Sequence, residues 1–110
     1  MKLPNAERAV VDFAKVMDYL LNAGHPDNGG KARFFVSLGL GEPAALVEAL
    51  RGVAVAGEVV VQTESPHGLK FVVDGAIQSP SGRQPTVRTV WIIDGGEDTP
   101  RLVTAYPGGA

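Results

Sequence analysis

The chain has 110 residues, of which 45% are hydrophobic and 20% charged, a balance typical of one globular domain and not of a disordered tail. Its net charge of −2 argues against sequence-independent electrostatic binding to nucleic acid, so any contact with RNA must be local. The absence of cysteine excludes disulfides, thiolate zinc sites and a thiol nucleophile.

The first residues lack the apolar core of a secretory signal. No stretch of the sequence approaches the roughly 20 apolar residues that cross a bilayer. We therefore expect a soluble cytoplasmic protein with no membrane association.

The first half of the chain predicts helices. The apolar run from Arg8 to Asp12 fits either a short strand or the entry to a helix. From Phe13 to Leu21, apolar residues recur at three- and four-residue spacing, which predicts a helix that Asp12 caps. A second helix is predicted from near Gly30 or Lys31 to about Leu38, and a third begins at about Pro43 and ends before Gly57.

After Gly57 the apolar period changes to two, which indicates β-strands. The turns that separate the strands are predicted at Pro66–Gly68, Ser79–Gly82 and from Asp94–Gly96. The third strand is predicted over Pro85–Ile93 and the fourth over Arg101–Tyr106. The prediction is a single α+β domain over residues 1–110, with helices in about 8–56 packed on one face of a four-stranded antiparallel meander in about 57–107.

Polar residues interrupt the last two strands. Arg88 and Thr89 point to opposite faces of the third strand, and regular alternation on the fourth groups Leu102, Thr104 and Tyr106 on one face. Pairing of the two strands brings either Arg88 or Thr89 near Thr104 and Tyr106, because a slip of one residue exchanges the faces. Strand preference alone also explains threonine and tyrosine at these positions.

His25 lies in a loop rich in glycine and asparagine, directly before Pro26. An unperturbed histidine has a pKa of about 6.5, which suits proton transfer at neutral pH. A solvent-exposed loop histidine with no chemical role fits the same sequence. His67, in a tight turn, is expected to be exposed and inert.

Lys31 and Arg33 lie at the start of the second predicted helix, after two glycines. Backbone N–H groups at a helix start attract anions, so the two side chains are candidates to clamp one phosphate. They are alternatively solvated side chains or salt-bridge partners. The spacing is not that of a Walker motif, and no His or carboxylate cluster has metal-ligand spacing, so we predict no required metal and no cofactor.

Four segments together resemble a small bacterial domain family of uncharacterised function. They are Leu3-Pro-Asn-Ala6, Tyr19-Leu-Leu-Asn22, Lys31-Ala-Arg-Phe-Phe35 and Pro100-Arg-Leu-Val-Thr-Ala-Tyr-Pro107. That family is similar to the barnase, EndoU, colicin and RelE-like ribonuclease toxins. The resemblance implies N-terminal helices on a four-stranded antiparallel sheet, cleavage of RNA without metal by attack of a ribose 2′-hydroxyl on the adjacent phosphate, and a neutralising protein antitoxin.

The resemblance also implies roles for individual residues. His25 would transfer protons, Lys31 and Arg88 would stabilise charge on the phosphate, and Thr104 and Tyr106 would hydrogen-bond the phosphate or assist proton transfer. Arg33 and Thr89 are the candidates for further substrate contact. Several related toxin families carry a histidine three positions after the helix lysine, where this chain has Phe34. A non-catalytic domain that keeps the fold and binds a protein partner is therefore the alternative function.

Overall fold

The computed structural model of the chain describes residues 1–21 and 29–108, and only the backbone of residues 18 and 19. Its helices are a 3-10 turn at Ala6–Arg8, α1 at Phe13–Lys15 continued by a π-helical turn at Val16–Leu20, α2 at Gly29–Ser37 and α3 at Pro43–Ala56. Its strands are β1 at Glu58–Ser65, β2 at Gly68–Ala76, β3 at Thr86–Asp94 and β4 at Arg101–Pro107. The α+β prediction is confirmed: helices precede a four-stranded antiparallel sheet of order β1-β2-β3-β4. No helix in the described ranges has the length and apolar character that a membrane span requires.

The first helix begins where the sequence predicts and then widens. The Asp12 carboxylate accepts hydrogen bonds from the backbone N–H groups of Ala14 and Lys15, at 2.8 and 3.4 Å. One turn later the N–H of Leu21 donates to the carbonyl of Val16 at 2.9 Å, a five-residue spacing that defines the π turn. Just before α1, Val10 forms an isolated parallel bridge with Arg101, so this segment covers part of the β4 edge.

The helices pack on one face of the sheet, and this core face is almost completely apolar. From α3 it receives Leu46, Leu50, Val53 and Ala54, and from the strands Phe71, Val73, Val87, Trp91, Leu102 and Ala105, all of them buried. Phe35 and Leu38 of α2 and its following turn belong to the same core. Burial of these side chains fixes both α2 and α3 against the sheet.

An irregularity between β3 and β4 decides which β4 side chains enter the core. Val90 lies opposite Thr104, but its neighbour Trp91 lies opposite Leu102, so Val103 is an extra residue in β4. Leu102 consequently faces the core, whereas Thr104 and Tyr106 face the opposite side. Grouping Leu102 with Thr104 and Tyr106 by regular alternation is therefore wrong, because a bulge interrupts the alternation.

Thr89 lies on the core face, fully buried, and its hydroxyl has two partners. The hydroxyl donates to the carbonyl oxygen of Val73 at 2.8 Å and accepts from the indole Nε1 of Trp91 at 2.7 Å. The threonine thus satisfies the polar atom of the largest core side chain. This burial is at odds with the sequence prediction that Thr89 contacts substrate.

Replacing Thr89 with valine should destabilise the domain. Thr89→Val keeps the shape of the side chain but leaves the Trp91 N–H without its acceptor, which costs about 1–3 kcal/mol. Urea unfolding should show a lower midpoint with an unchanged slope. Thr86→Val, at the exposed start of the same strand, is the control and should leave the midpoint nearly unchanged. Equal midpoints for the two variants would show that the buried hydroxyl contributes nothing.

Gly57, which follows α3, permits a close approach between the helix end and β2. A Cβ at this position would lie 2.7 Å from the Val53 carbonyl oxygen, 2.8 Å from the Asp74 carbonyl oxygen and 2.8 Å from Val73 Cγ1. These contacts are with backbone and packed core atoms, which have little room to move.

We expect Gly57→Ala to lower the free energy of unfolding by about 1–3 kcal/mol, because the added methyl group overpacks this junction. Gly52→Ala is the matched control, since its Cβ would meet nothing within 4 Å. Within α3 it should raise the free energy of unfolding by roughly 0.5–1 kcal/mol through helix propensity. Thermal or urea unfolding of both variants tests the pair; equal shifts of the same sign would contradict the close approach.

Candidate functional site

The face of the sheet turned away from α3, here called the outer face, carries three polar side chains in one row. Asp74 of β2 lies directly opposite Arg88 of β3, and Arg88 lies directly opposite Tyr106 of β4. Side chains of directly opposed residues are close neighbours on a sheet surface. The register therefore brings a carboxylate, a guanidinium and a phenol together on three adjacent strands.

Asp74 holds Arg88 through two parallel hydrogen bonds. Arg88 donates from Nε to Oδ1 and from Nη2 to Oδ2, each at 2.8 Å. The Asp74 side chain is only 11% exposed, whereas that of Arg88 is 35% exposed. The pair thus keeps its carboxylate inside the protein surface and presents the guanidinium to solvent.

The pKa of Arg88 is raised, chiefly by its hydrogen bond to Asp74 and also by the Asp74 charge, with Tyr106 adding smaller contributions of the same sign. Desolvation acts in the opposite direction and is outweighed. An arginine is protonated at any pH at which a protein is folded, and this shift strengthens that state. Arg88 is therefore a permanent cation, suited to binding an anion and unsuited to acting as a base.

Lys31 reaches the same face from the first turn of α2. Its Nζ donates to Thr104 Oγ1 at 3.1 Å and lies 5.6 Å from the centroid of the Tyr106 ring. The ring distance is within the range of a cation–π contact. Because Ala32 and Phe35 of the same helix are buried in the core, α2 holds the Lys31 backbone in place beside β4.

We call these five side chains the outer-face cluster: Lys31, Asp74, Arg88, Thr104 and Tyr106. They combine two cations, one carboxylate and two hydroxyl groups, so that the cluster carries a net positive charge within a chain of net charge −2. Such a set can bind one phosphate through charge and hydrogen bonds, and the hydroxyl groups can donate protons or hydrogen bonds. Because the chain is acidic overall, contact with RNA would need a local positive site, and the cluster is a site of this kind.

The structure thus brings together four of the seven residues singled out from the sequence. Arg33 is exposed and follows Lys31 by two positions, about 200° around the helix, so it points away from the cluster. Thr89 is in the core, as described above. His25 lies outside the described residues, and its role stays a prediction from the sequence.

Sequence reasoning missed Asp74. The available signal was an acidic side chain that alternates with Phe71 and Val73 in the second strand and therefore faces away from the core. Only the register of β2 on β3 shows that this carboxylate lies opposite Arg88. Within residues 1–21 and 29–108, no three His, Cys, Asp or Glu side chains lie together as candidate metal ligands.

No curated protein matches this chain. Its fold matches that of a chain from the contact-dependent growth inhibition toxin–immunity protein complex of Klebsiella pneumoniae 342, with a TM-score of 0.73. The two chains are 20% identical, and the match covers 96% of this chain and 98% of the other, so the likeness is one of whole-domain fold. A family model described as a domain of unknown function, DUF6883, matches residues 2–109. The chain therefore belongs to the DUF6883 family.

Proposed function

We propose that this chain is a ribonuclease-like toxin domain of a bacterial toxin–antitoxin or phage-linked system. It cleaves RNA without a metal ion, by attack of a ribose 2′-hydroxyl on the adjacent phosphate. The convergence of Lys31, Arg88, Thr104 and Tyr106 on one face of the sheet supports this function most directly. The shared fold with a chain of a toxin–immunity protein complex and the resemblance to ribonuclease toxins support the same class.

The reaction forms a bond between the 2′-oxygen and phosphorus and breaks the bond between phosphorus and the 5′-oxygen. A base removes the proton from the 2′-hydroxyl, an acid protonates the departing 5′-oxygen, and negative charge accumulates on the non-bridging oxygens. Groups that already point at those oxygens lower the barrier without reorganising. The cluster supplies such groups, Lys31 from α2 and the others from the strands of the sheet.

Lys31 and Arg88 stabilise the charge on the non-bridging oxygens from two sides of Tyr106. Thr104 accepts the Lys31 hydrogen bond, which leaves its own hydroxyl proton available to donate to a phosphate oxygen. Tyr106, between the two cations, protonates the departing 5′-oxygen. The general base is His25, the assignment that the resemblance implies.

A protein antitoxin is the partner that this function requires, and the complex in which the similar fold occurs contains an immunity protein.

An observation on β1 favours the alternative function, a non-catalytic interaction domain. β1 is an edge strand, and its Val60 and Val61 are 48% and 49% exposed. An exposed apolar edge can pair with a strand of another protein. The two functions differ in whether substitutions in the outer-face cluster change an activity on RNA.

Controlled expression in bacteria should arrest growth and degrade RNA. Lys31→Ala, Arg88→Ala and Tyr106→Phe should each reduce RNA cleavage by roughly 100-fold or more, since loss of a group that stabilises charge in the transition state, or of the general acid, has an effect of this size. Growth curves and the integrity of total RNA measure the outcome.

Arg33→Ala is the matched control for Lys31→Ala, because it removes the same charge from the same helix but outside the cluster. It should remain toxic. Circular dichroism of each purified variant establishes that it is folded. A folded wild type that is harmless and leaves RNA intact would contradict the ribonuclease function and support the interaction domain.

The purified domain should cut RNA in the presence of EDTA and leave 2′,3′-cyclic phosphate ends. A DNA oligonucleotide of the same sequence should stay intact, because it lacks the attacking 2′-hydroxyl. Gel separation of the products with end-group analysis measures both results. Loss of RNA cleavage in EDTA, or cleavage of the DNA, would contradict the mechanism.

A further inference from the structure

Asp74 belongs to the outer-face cluster, yet the reaction described above gives its carboxylate no role. A carboxylate beside an anion site weakens anion binding by electrostatic repulsion. Here it lies among the groups proposed to bind phosphate and is only 11% exposed. The Asp74 carboxylate must therefore contribute to the site in a way other than by raising its affinity for substrate.

The geometry of the Asp74–Arg88 pair provides that contribution. A guanidinium group has five N–H bonds, and Asp74 occupies one on Nε and one on Nη2. The remaining bonds include one on Nη1 and one on Nη2 that run parallel along the adjacent edge, at the tip of the side chain. That edge matches two oxygens of one phosphate.

The Asp74–Arg88 pair also constrains motion. The β2–β3 register places the two residues directly opposite each other, so both backbones are fixed by the sheet. With two bonds of 2.8 Å, the carboxylate fixes the plane of the guanidinium as well as its position. Arg88 without this partner would be a long side chain free to adopt other rotamers.

We propose that Asp74 is a positioning residue, which orients Arg88 so that its outer Nη1–Nη2 edge meets the phosphate of the RNA undergoing cleavage. This inference rests on the proposed function. A group that orients a catalytic cation while repelling the substrate affects turnover and affinity in opposite directions, so Asp74 should raise kcat without lowering KM.

Steady-state RNA cleavage by Asp74→Asn tests the inference. The variant should lower kcat by about 10- to 100-fold, the effect expected of a misplaced catalytic group. KM should stay equal or fall, because one negative charge has left the anion site. Asp94→Asn is the matched control, since Asp94 holds Arg101 in the same two-bond manner, at 2.7 and 3.1 Å, outside the cluster. Both variants lose one Arg–carboxylate pair, but only Asp74→Asn should change kcat.

The double variant Asp74→Asn with Arg88→Ala gives a second test that leaves no unpaired carboxylate. If Asp74 affects turnover only through Arg88, kcat of the double variant should equal that of Arg88→Ala alone. Wild-type turnover in Asp74→Asn, or a rise in KM with unchanged kcat, would overturn the positioning role and leave the ribonuclease function standing. A wild type that cleaves no RNA would overturn both.

Discussion

The extra residue in β4, Val103, determines which side of the sheet can hold a site. Leu102 and Ala105 are both buried in the core, although they are separated by an odd number of positions. A regular strand could not point both inward, so the bulge reconciles them. With Leu102 inward, Thr104 and Tyr106 face the outer side, where they meet Arg88. The shape of the core thus sets the composition of the outer face.

The core also fixes the other contributors to the cluster. Phe35 and Leu38 hold α2 beside β4, so that Lys31, in the first turn, reaches Thr104 and Tyr106. On the core face of β3, the strand that carries Arg88, the Thr89 hydroxyl accepts the hydrogen bond of the Trp91 indole. Apolar burial on one face therefore provides rigid support for polar side chains on the other. This division lets a domain of net charge −2 present a small positive site without a basic surface.

The sequence predicted the order of helices and strands because apolar periodicity reports burial directly. The limits of α3 and the positions of β3 and β4 were predicted to within a residue or so, since Pro43, Gly57 and the glycine-rich turns mark the ends of these elements. Periodicity carries no information about a bulge or about register, so it left Arg88 and Thr89 as equal candidates and missed Asp74. The π turn after α1 was equally invisible, because an apolar stripe at three- and four-residue spacing fits a regular helix. Arg33 was selected for its charge and position in the sequence, whereas its direction on α2 excludes it from the cluster.

The proposed function requires RNA to bind to the outer face at Lys31, Arg88, Thr104 and Tyr106. The most direct test is an NMR titration of the isotope-labelled domain with a 2′-O-methyl RNA oligonucleotide, which presents phosphates but cannot undergo attack by a 2′-hydroxyl. We expect the largest chemical shift changes at the side chains of Lys31 and Arg88 and at the backbone amides of Thr104 and Tyr106. Saturating changes confined to the β1 edge, or no changes at all, would contradict the proposed function.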